Sequence, residues 1–330
     1  MTSLVDVQKG PRPAKVWIPL PSLYESSWIR PMGNLWQGNF DGARVVTEPR
    51  WGTSMLLAEW EARTGAPVPV LEVVTRFSTR DRSVPLAKPA GSAPAAPLDA
   101  ASRALYTAPS RLLPTDGIVL RTASEITKDA RGDLDKARAI YEWIVEKTQR
   151  NPKARGCGTG DAASMLETGD LTGKCADINA LFVALARAAG LPARDVYGIR
   201  VADSRFGYRS LGKSGEITKA QHCRAEVFLS SLGWVPVDPA DVRKVALEER
   251  PGLSLQDETV AQVRRKLFGS WEMNWLACNV ALDVSLPGSS GASIPFLMYP
   301  QGETSEGRLD CLDPDGFRYR ITSKEILPAA

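Results

Sequence analysis

The spacing of apolar residues changes along the chain. Over residues 15–83, short runs such as KVWIPL, ARVV and VLEVVTRF are punctuated by Pro and Gly, the rhythm of brief strands joined by turns. This predicts a β-sandwich-like N-terminal domain over residues 1–86. The run MLLAEWEA between them fits a helix or a strand equally well. Residues 87–97, AKPAGSAPAAP, offer few large apolar side chains with which to build a core, and they open a predicted linker over 87–110.

Helical spacing follows. Between residues 133 and 150, Leu134, Ala137, Ile140, Tyr141, Ile144 and Val145 recur at intervals of a helical turn, and Asp133 stands where an N-cap is wanted. A second helix is predicted over 175–189, with Ile178, Leu181, Phe182, Leu185 and Ala189 on one stripe and Gly190 and Pro192 as stop signals. Beyond it, HCRAEVFL and WVPVD read as a hairpin. A turn centred near residue 230 places His222 opposite Asp238, and alternation puts Ala225, Val227, Leu229, Val235 and Val237 on the other face. Residues 111–245 therefore form the second predicted domain. Residues 246–330 are expected to be a mainly β-rich segment, with a short helix near 258–267, packing on one domain or both.

Composition narrows the chemistry more by what it excludes. The 41 Lys and Arg against 38 Asp and Glu leave a net charge of +3 over 330 residues, so no nucleic-acid partner is expected from charge. No apolar run approaches the roughly 18 residues of a membrane span. The first twenty residues lack the pattern of a signal peptide. Location stays open: cytoplasmic if nothing precedes this sequence, periplasmic or secreted if a leader was removed. Five cysteines at irregular spacing, without a CxxC pair, fit neither a disulfide scaffold nor a zinc finger. The single histidine, His222, excludes metal sites built on two. Neither a resident metal nor an organic cofactor is expected, and there is no clustered acidic loop of the kind that binds calcium.

Cys175 opens its helix, where free backbone N–H groups and the helix dipole favour a thiolate. A buried structural cysteine is the plainer reading of such a residue, and a strand histidine beside a surface aspartate is the plainer reading of the pair. Together, a helix-borne cysteine facing a sheet with His and Asp supplies a nucleophile, a base and an orienting carboxylate. The Cys175 N–H is one candidate oxyanion donor. GDLTGKC lacks the glycine spacing of a phosphate loop and has Cys where Ser or Thr would bind magnesium.

The stretch TGKCADINALFVALARAAGLPARDVYG followed by HCRAEVFLSSLGWVPVDPAD resembles the core of the transglutaminase-like superfamily, over about residues 133–245. The opening VWIPLP is similar to the β-rich region before this core in bacterial members. The resemblance implies an α+β fold with a papain-like core of helix plus antiparallel sheet. It also implies cysteine-dependent acyl transfer or hydrolysis on a protein, peptide or other amide substrate through a thioester. It places the nucleophile at Cys175, the base at His222 and the acid at Asp238. Where many members carry a pair such as Ala-Trp after the histidine, this chain has Cys223 and Arg224. Arg224 shares the His222 face and is a candidate for a substrate carboxylate. Cys157 and Asp161 in GCGTGD are candidates to line the approach to Cys175, and Cys223 is expected to be core. The other class of function considered is a non-catalytic peptide- or protein-binding module on the same fold.

Overall fold

The computed structural model describes residues 1–7, 13–24, 27–62, 67–87, 94–250 and 252–326. The fold is α+β, with a β-rich N-terminal region and a core of helices on an antiparallel sheet. In the N-terminal region, strands Thr2–Val7, Val70–Thr79 and Ile29–Gly38 belong to one five-stranded sheet. Ala14–Pro19, Thr53–Trp60 and Gly42–Glu48 belong to a second. Val5, Val73 and Phe317 of the first sheet share a core with Val16, Leu56 and Trp60 of the second, so the sheets form a sandwich. Chain segments far downstream complete both: Phe317–Ser323 pairs with Thr2–Val7, and Gln301–Thr304 pairs with Ala14–Pro19.

The ambiguous run MLLAEWEA is strand as far as Trp60, within Thr53–Trp60. It is hydrogen-bonded on both edges and buried on both faces, with Leu56 and Ala58 in the sandwich core and Met55 and Leu57 in a second apolar cluster. Burial on both faces gives a continuous apolar run in which strand alternation is invisible.

Seven helices occur among the described residues: α1 (Ala100–Thr107), α2 (Gly117–Thr127), α3 (Asp133–Lys147), α4 (Ala162–Thr168), α5 (Cys175–Ala188), α6 (Pro239–Glu248) and α7 (Glu258–Lys266). α1 falls inside the 87–110 segment read as linker, and Tyr106 from it packs edge-on against Trp234 with ring centroids 5.0 Å apart. Residues 88–93 of that segment lie outside the described residues. No helix among the described residues is long and apolar enough to cross a membrane.

α3 begins at Asp133 itself, with Gly132 in the N-cap position. Asp133 does not cap: its carboxylate accepts a hydrogen bond from Ser230 Oγ at 3.0 Å and so ties the hairpin turn to the helix. α5 is buried on all sides from Cys175 to Arg187 rather than along one stripe, because it runs between helices α2 and α3 and the sheet. Its end is a Schellman turn: Leu191 N–H donates to Ala186 O, Gly190 N–H donates to Arg187 O, and Gly190 takes φ +84°.

The sheet under α5 has four antiparallel strands in the order Gly233–Val237, Gln221–Leu229, Ala193–Arg200, Trp275–Asn279. Cys223, Ala225, Val227, Leu229, Val235 and Val237 belong to the cluster that packs on α5, as alternation requires. The hairpin register pairs Ala225 with Val237, which sets Asp238 level with Arg224 instead of His222. The turn is centred one residue later than the sequence suggested. Asp238 leaves the strand there and becomes the N-cap of α6.

Candidate active site

Cys175 and His222 meet at a cavity of about 500 Å³ whose walls are α5, α6, the start of the histidine strand and the loop before it. Cys175 is the first residue of α5. Lys174 N–H donates to Asp177 Oδ2 (2.9 Å) and Ala176 N–H to Cys157 O (2.9 Å). Asp177 Oδ1 also accepts from Thr159 N–H (2.8 Å) and Gly160 N–H (3.0 Å), so one carboxylate binds the 158–160 loop to the start of the cysteine helix. Gly158 makes this possible: at φ +97°, a Cβ would lie 1.8 Å from Asp177 Oδ2. The glycines of GCGTGD thus admit a carboxylate from the protein itself. Asp161 accepts from Ser164 N–H and caps α4, and it does not line the cavity. Its expected role near Cys175 is corrected to that of a helix cap.

His222 Nε2 lies 2.8 Å from Asp238 Oδ2 and 3.4 Å from Asp241 Oδ2. With Nε2 so engaged, Nδ1 is the nitrogen left for Cys175, which lines the same cavity and whose thiol His222 draws down. Trp275 Nε1 donates to the His222 carbonyl at 2.9 Å. Both acids come from the first turn of α6, in the sequence Asp-Pro-Ala-Asp: Asp238 at the N-cap accepts from Asp241 N–H (3.1 Å), and Pro239 occupies the first helical position. Asn179, one turn along α5 from Cys175, donates to Asp238 Oδ1 (3.3 Å) and to Cys223 O (2.9 Å), joining helix to strand. Arg200 NH2 donates to Asp241 Oδ1 at 2.6 Å.

Arg224 does not reach the cavity. It is only 2% exposed, donates through NH1 to Glu272 O (2.8 Å), lies 3.5 Å from Asp238 Oδ2 through Nε, and has its guanidinium over the rings of Trp275 and Trp271. A guanidinium enclosed behind Asp238 cannot receive a substrate carboxylate, so the role expected for Arg224 is corrected to support of that acid. Cys157 does line the cavity. Its Sγ donates to Gln221 O at 3.3 Å. Cys223 is core, as alternation implied, yet its thiol acts on the titration of Cys175.

The charges set the protonation states. Hydrogen bonds from Cys157 and Cys223, then the bond to His222 and its charge, hold the Cys175 thiol well below its ordinary value against the opposing effect of burial. The two neighbouring thiols are pushed well above theirs, Cys157 chiefly by its bond to Cys175 and Cys223 chiefly by burial. Burial and Arg200 oppose charge on His222, but Asp241 and Asp238 together outweigh them and raise it to about 9. Asp241 is held well below the usual carboxylate range, since Arg200 and His222 overcome its burial. Burial, with Asp241 beside it, raises Asp238. Arg200, Arg224 and, when protonated, His222 face Asp238 and Asp241, and the Cys175 thiol beside them is drawn toward its charged form.

His222, Asp238 and Asp241 bring ligand atoms within 4.8 Å of one another, the spacing of a metal site. Arg200 and Arg224 pair with the two carboxylates and offset the negative charge that would draw a cation there.

A family model described as the transglutaminase-like superfamily matches residues 121–239, a span that holds Cys175, His222 and Asp238. A Haemophilus influenzae protein described as uncharacterized is 37% identical over 324 residues, covering 94% of this chain and 86% of its own length. The chain belongs to the transglutaminase-like superfamily. Among solved structures, a candidate cysteine protease from Cytophaga hutchinsonii superposes with a TM-score of 0.54 at 16% identity, over 89% of this chain and 92% of that one. At that identity the likeness is one of fold. It extends over the sandwich as well as the transglutaminase-like core.

Asp241, Arg200 and Asn179 were missed by sequence reading. A signal existed for two of them. Asp-Pro-Ala-Asp is a helix start with acids at the N-cap and one turn on, and Asn179 is a polar residue one turn from Cys175 on a mostly apolar helix. Arg200, on a neighbouring strand, carried none.

Proposed function

We propose that this protein is a cysteine-dependent acyltransferase or hydrolase acting on amide bonds, with Cys175 as nucleophile, His222 as acid and base, and Asp238 as the carboxylate that fixes the imidazole. The observation that carries the reading is the meeting of a thiol held toward thiolate with a His222 ring bound at 2.8 Å to Asp238, all at one cavity. Cys175 Sγ attacks the amide carbonyl carbon. The carbonyl oxygen gains charge and is received by the Cys175 N–H, which has no helical partner at the first position of α5. The Gln221 amide nitrogen is the second donor in this reading: it is buried, has no hydrogen-bond partner and lines the same cavity. His222 then gives its proton to the leaving nitrogen as the C–N bond breaks, leaving a thioester. Water or an amine attacks the thioester, His222 takes the incoming proton, and the thiolate is restored.

The test is alkylation of the intact protein by iodoacetamide from about pH 5 to about pH 9, with each cysteine assigned by mass spectrometry. Cys175 should react first at acidic pH, and His222→Ala should lower its acidic-pH rate by about tenfold or more, because the ring no longer supports the thiolate. Equal reactivity of Cys175 and the remaining cysteines would sink the nucleophile assignment and favour a non-catalytic binding module.

A further inference from the structure

The cavity above Cys175 is far more basic than the chain that forms it. Arg150, Lys174, Arg200, Lys213, Lys219 and Lys244 line it, against the single acid Glu216, whereas the whole chain is balanced at 41 basic to 38 acidic residues. Composition does not account for that concentration. Some of this charge is already answered: Arg200 pairs with Asp241, and Arg150 and Lys244 share Glu248. Glu216 is committed to Arg320 at 2.6 Å and to Thr218. Lys174, Lys213 and Lys219 have no carboxylate within ion-pair distance among the described residues, and the Lys174 ammonium reaches only the Gly156 carbonyl at 3.1 Å.

The three lie on both sides of the reacting pair. Lys174 immediately precedes Cys175 as the N-cap of α5, directly after a short strand whose Gly173 pairs with Arg150. Lys213 and Lys219 belong to the loop that leads into the histidine strand, with Lys219 three residues before His222. Like charges crowded at the mouth of a partly enclosed cleft repel one another, and an anionic occupant relieves that repulsion.

We propose that the cleft takes an acidic peptide as acyl donor, with carboxylates on both sides of the amide that Cys175 attacks. The inference rests on the reading of Cys175 as nucleophile and adds the class of substrate. Lys174 receives the carboxylate on the cysteine side, and Lys213 and Lys219 the one on the histidine side. Ammonium groups on long flexible stems suit acids at variable spacing better than a rigid guanidinium fork would.

Two alkylators separate this inference from the one beneath it. Iodoacetamide is neutral and reports the nucleophile, whereas iodoacetate carries the charge the cleft is built to attract. At low ionic strength, the ratio of iodoacetate to iodoacetamide rates at Cys175 should exceed the ratio measured for glutathione by about tenfold. That excess should shrink at high salt. The double variant Lys213→Glu with Lys219→Glu should bring the ratio at Cys175 back to that of glutathione or below it. A peptide alternating glutamate with alanine should protect Cys175 from iodoacetamide, and its lysine-for-glutamate counterpart should not. A ratio equal to that of glutathione, a ratio insensitive to the double variant, or equal protection by both peptides would overturn the acidic-substrate proposal while leaving the nucleophile in place. Failure of iodoacetamide itself to select Cys175 would remove the nucleophile, and this inference would fall with it.

Discussion

The histidine strand Gln221–Leu229 carries two buried ionic clusters that look alike in isolation. At its start, His222 and Arg224 meet Asp238, Asp241 and Arg200. Further along, Glu226 is enclosed between Arg82 and Arg194, with Arg194 Nε 2.7 Å away and its guanidinium stacked on Trp234 at 4.1 Å. Both are nearly dry. They differ in how completely they are satisfied. Both Glu226 oxygens are taken, and two arginines hold its carboxyl below the usual range against its burial. The first cluster leaves Asp241 Oδ2 and Arg224 Nε without a hydrogen bond and opens through His222 onto a cavity that also holds Cys175. A buried charge cluster therefore says little about function. A cluster that adjoins a nucleophile and a space for substrate says a good deal more.

Removing one group from each cluster should separate the two roles. Cys175→Ala should abolish turnover of any amide substrate, a loss on the order of 10⁴-fold, with little change in the urea midpoint. Glu226→Gln should do the reverse. It strands Arg82 and Arg194 without their carboxylate, at a cost of about 3–5 kcal/mol in urea unfolding, while the pH profile of Cys175 alkylation stays in place. A stable Glu226→Gln variant would mean that the second cluster is wetter than its 0% exposure indicates.

The sequence exposed the first cluster far better than the second, and the reason is physical. Cys175 stands out because it opens an apolar helix, and His222 and Asp238 because strand alternation places them off the apolar face. These are local patterns. The hairpin register was misjudged by one residue in its turn centre, since Asp238 is drawn out of the strand to cap α6. The parity of faces survived that error, and so did the meeting of His222 with Asp238. Arg82 and Arg194 are separated from Glu226 by 144 and 32 residues along the chain, and Arg200 from Asp241 by 41. No period or motif encodes such pairings; only the packed sheet brings them together. The completion of the sandwich by Gln301–Thr304 and Phe317–Ser323 was hidden for the same reason, whereas the strand Thr53–Trp60 was hidden by burial on both faces.

Asp241 tests whether the active cluster needs two acids where the sequence offered one. It raises His222 together with Asp238 and holds Arg200. Asp241→Asn removes one attraction and leaves Arg200 to repel the imidazolium, so the His222 value should fall from about 9. The basic limb of the rate profile should move down with it by about one pH unit, and the maximal rate should drop about tenfold to a hundredfold. Asp241 acts through His222 and is a positioning residue. A basic limb that stays near its original place in this variant would assign the raised value to Asp238 alone.

The smallest effect belongs to an acid that joins neither cluster. Asp195 stands on the neighbouring strand opposite Ala225, and so shares that residue's face toward α5, the reverse of the face that carries the two clusters. It is 1% exposed, and neither of its oxygens has a hydrogen bond. Burial raises it to about 7, only partly offset by Arg187. The folded chain therefore keeps a proton that the unfolded chain releases between about pH 4 and about pH 7, and stability falls across that window as pH rises. Asp195→Asn cannot ionise. Relative to the parent protein it should be stabilised by about 2 kcal/mol at about pH 5.5, with the gain growing above that pH and shrinking to a small fraction of it by about pH 4. Urea unfolding of both proteins at the two pH values measures the difference. A gain independent of pH would mean that Asp195 is not neutralised by folding, and that a charge can persist on the helix side of the sheet with Arg187 alone to offset it.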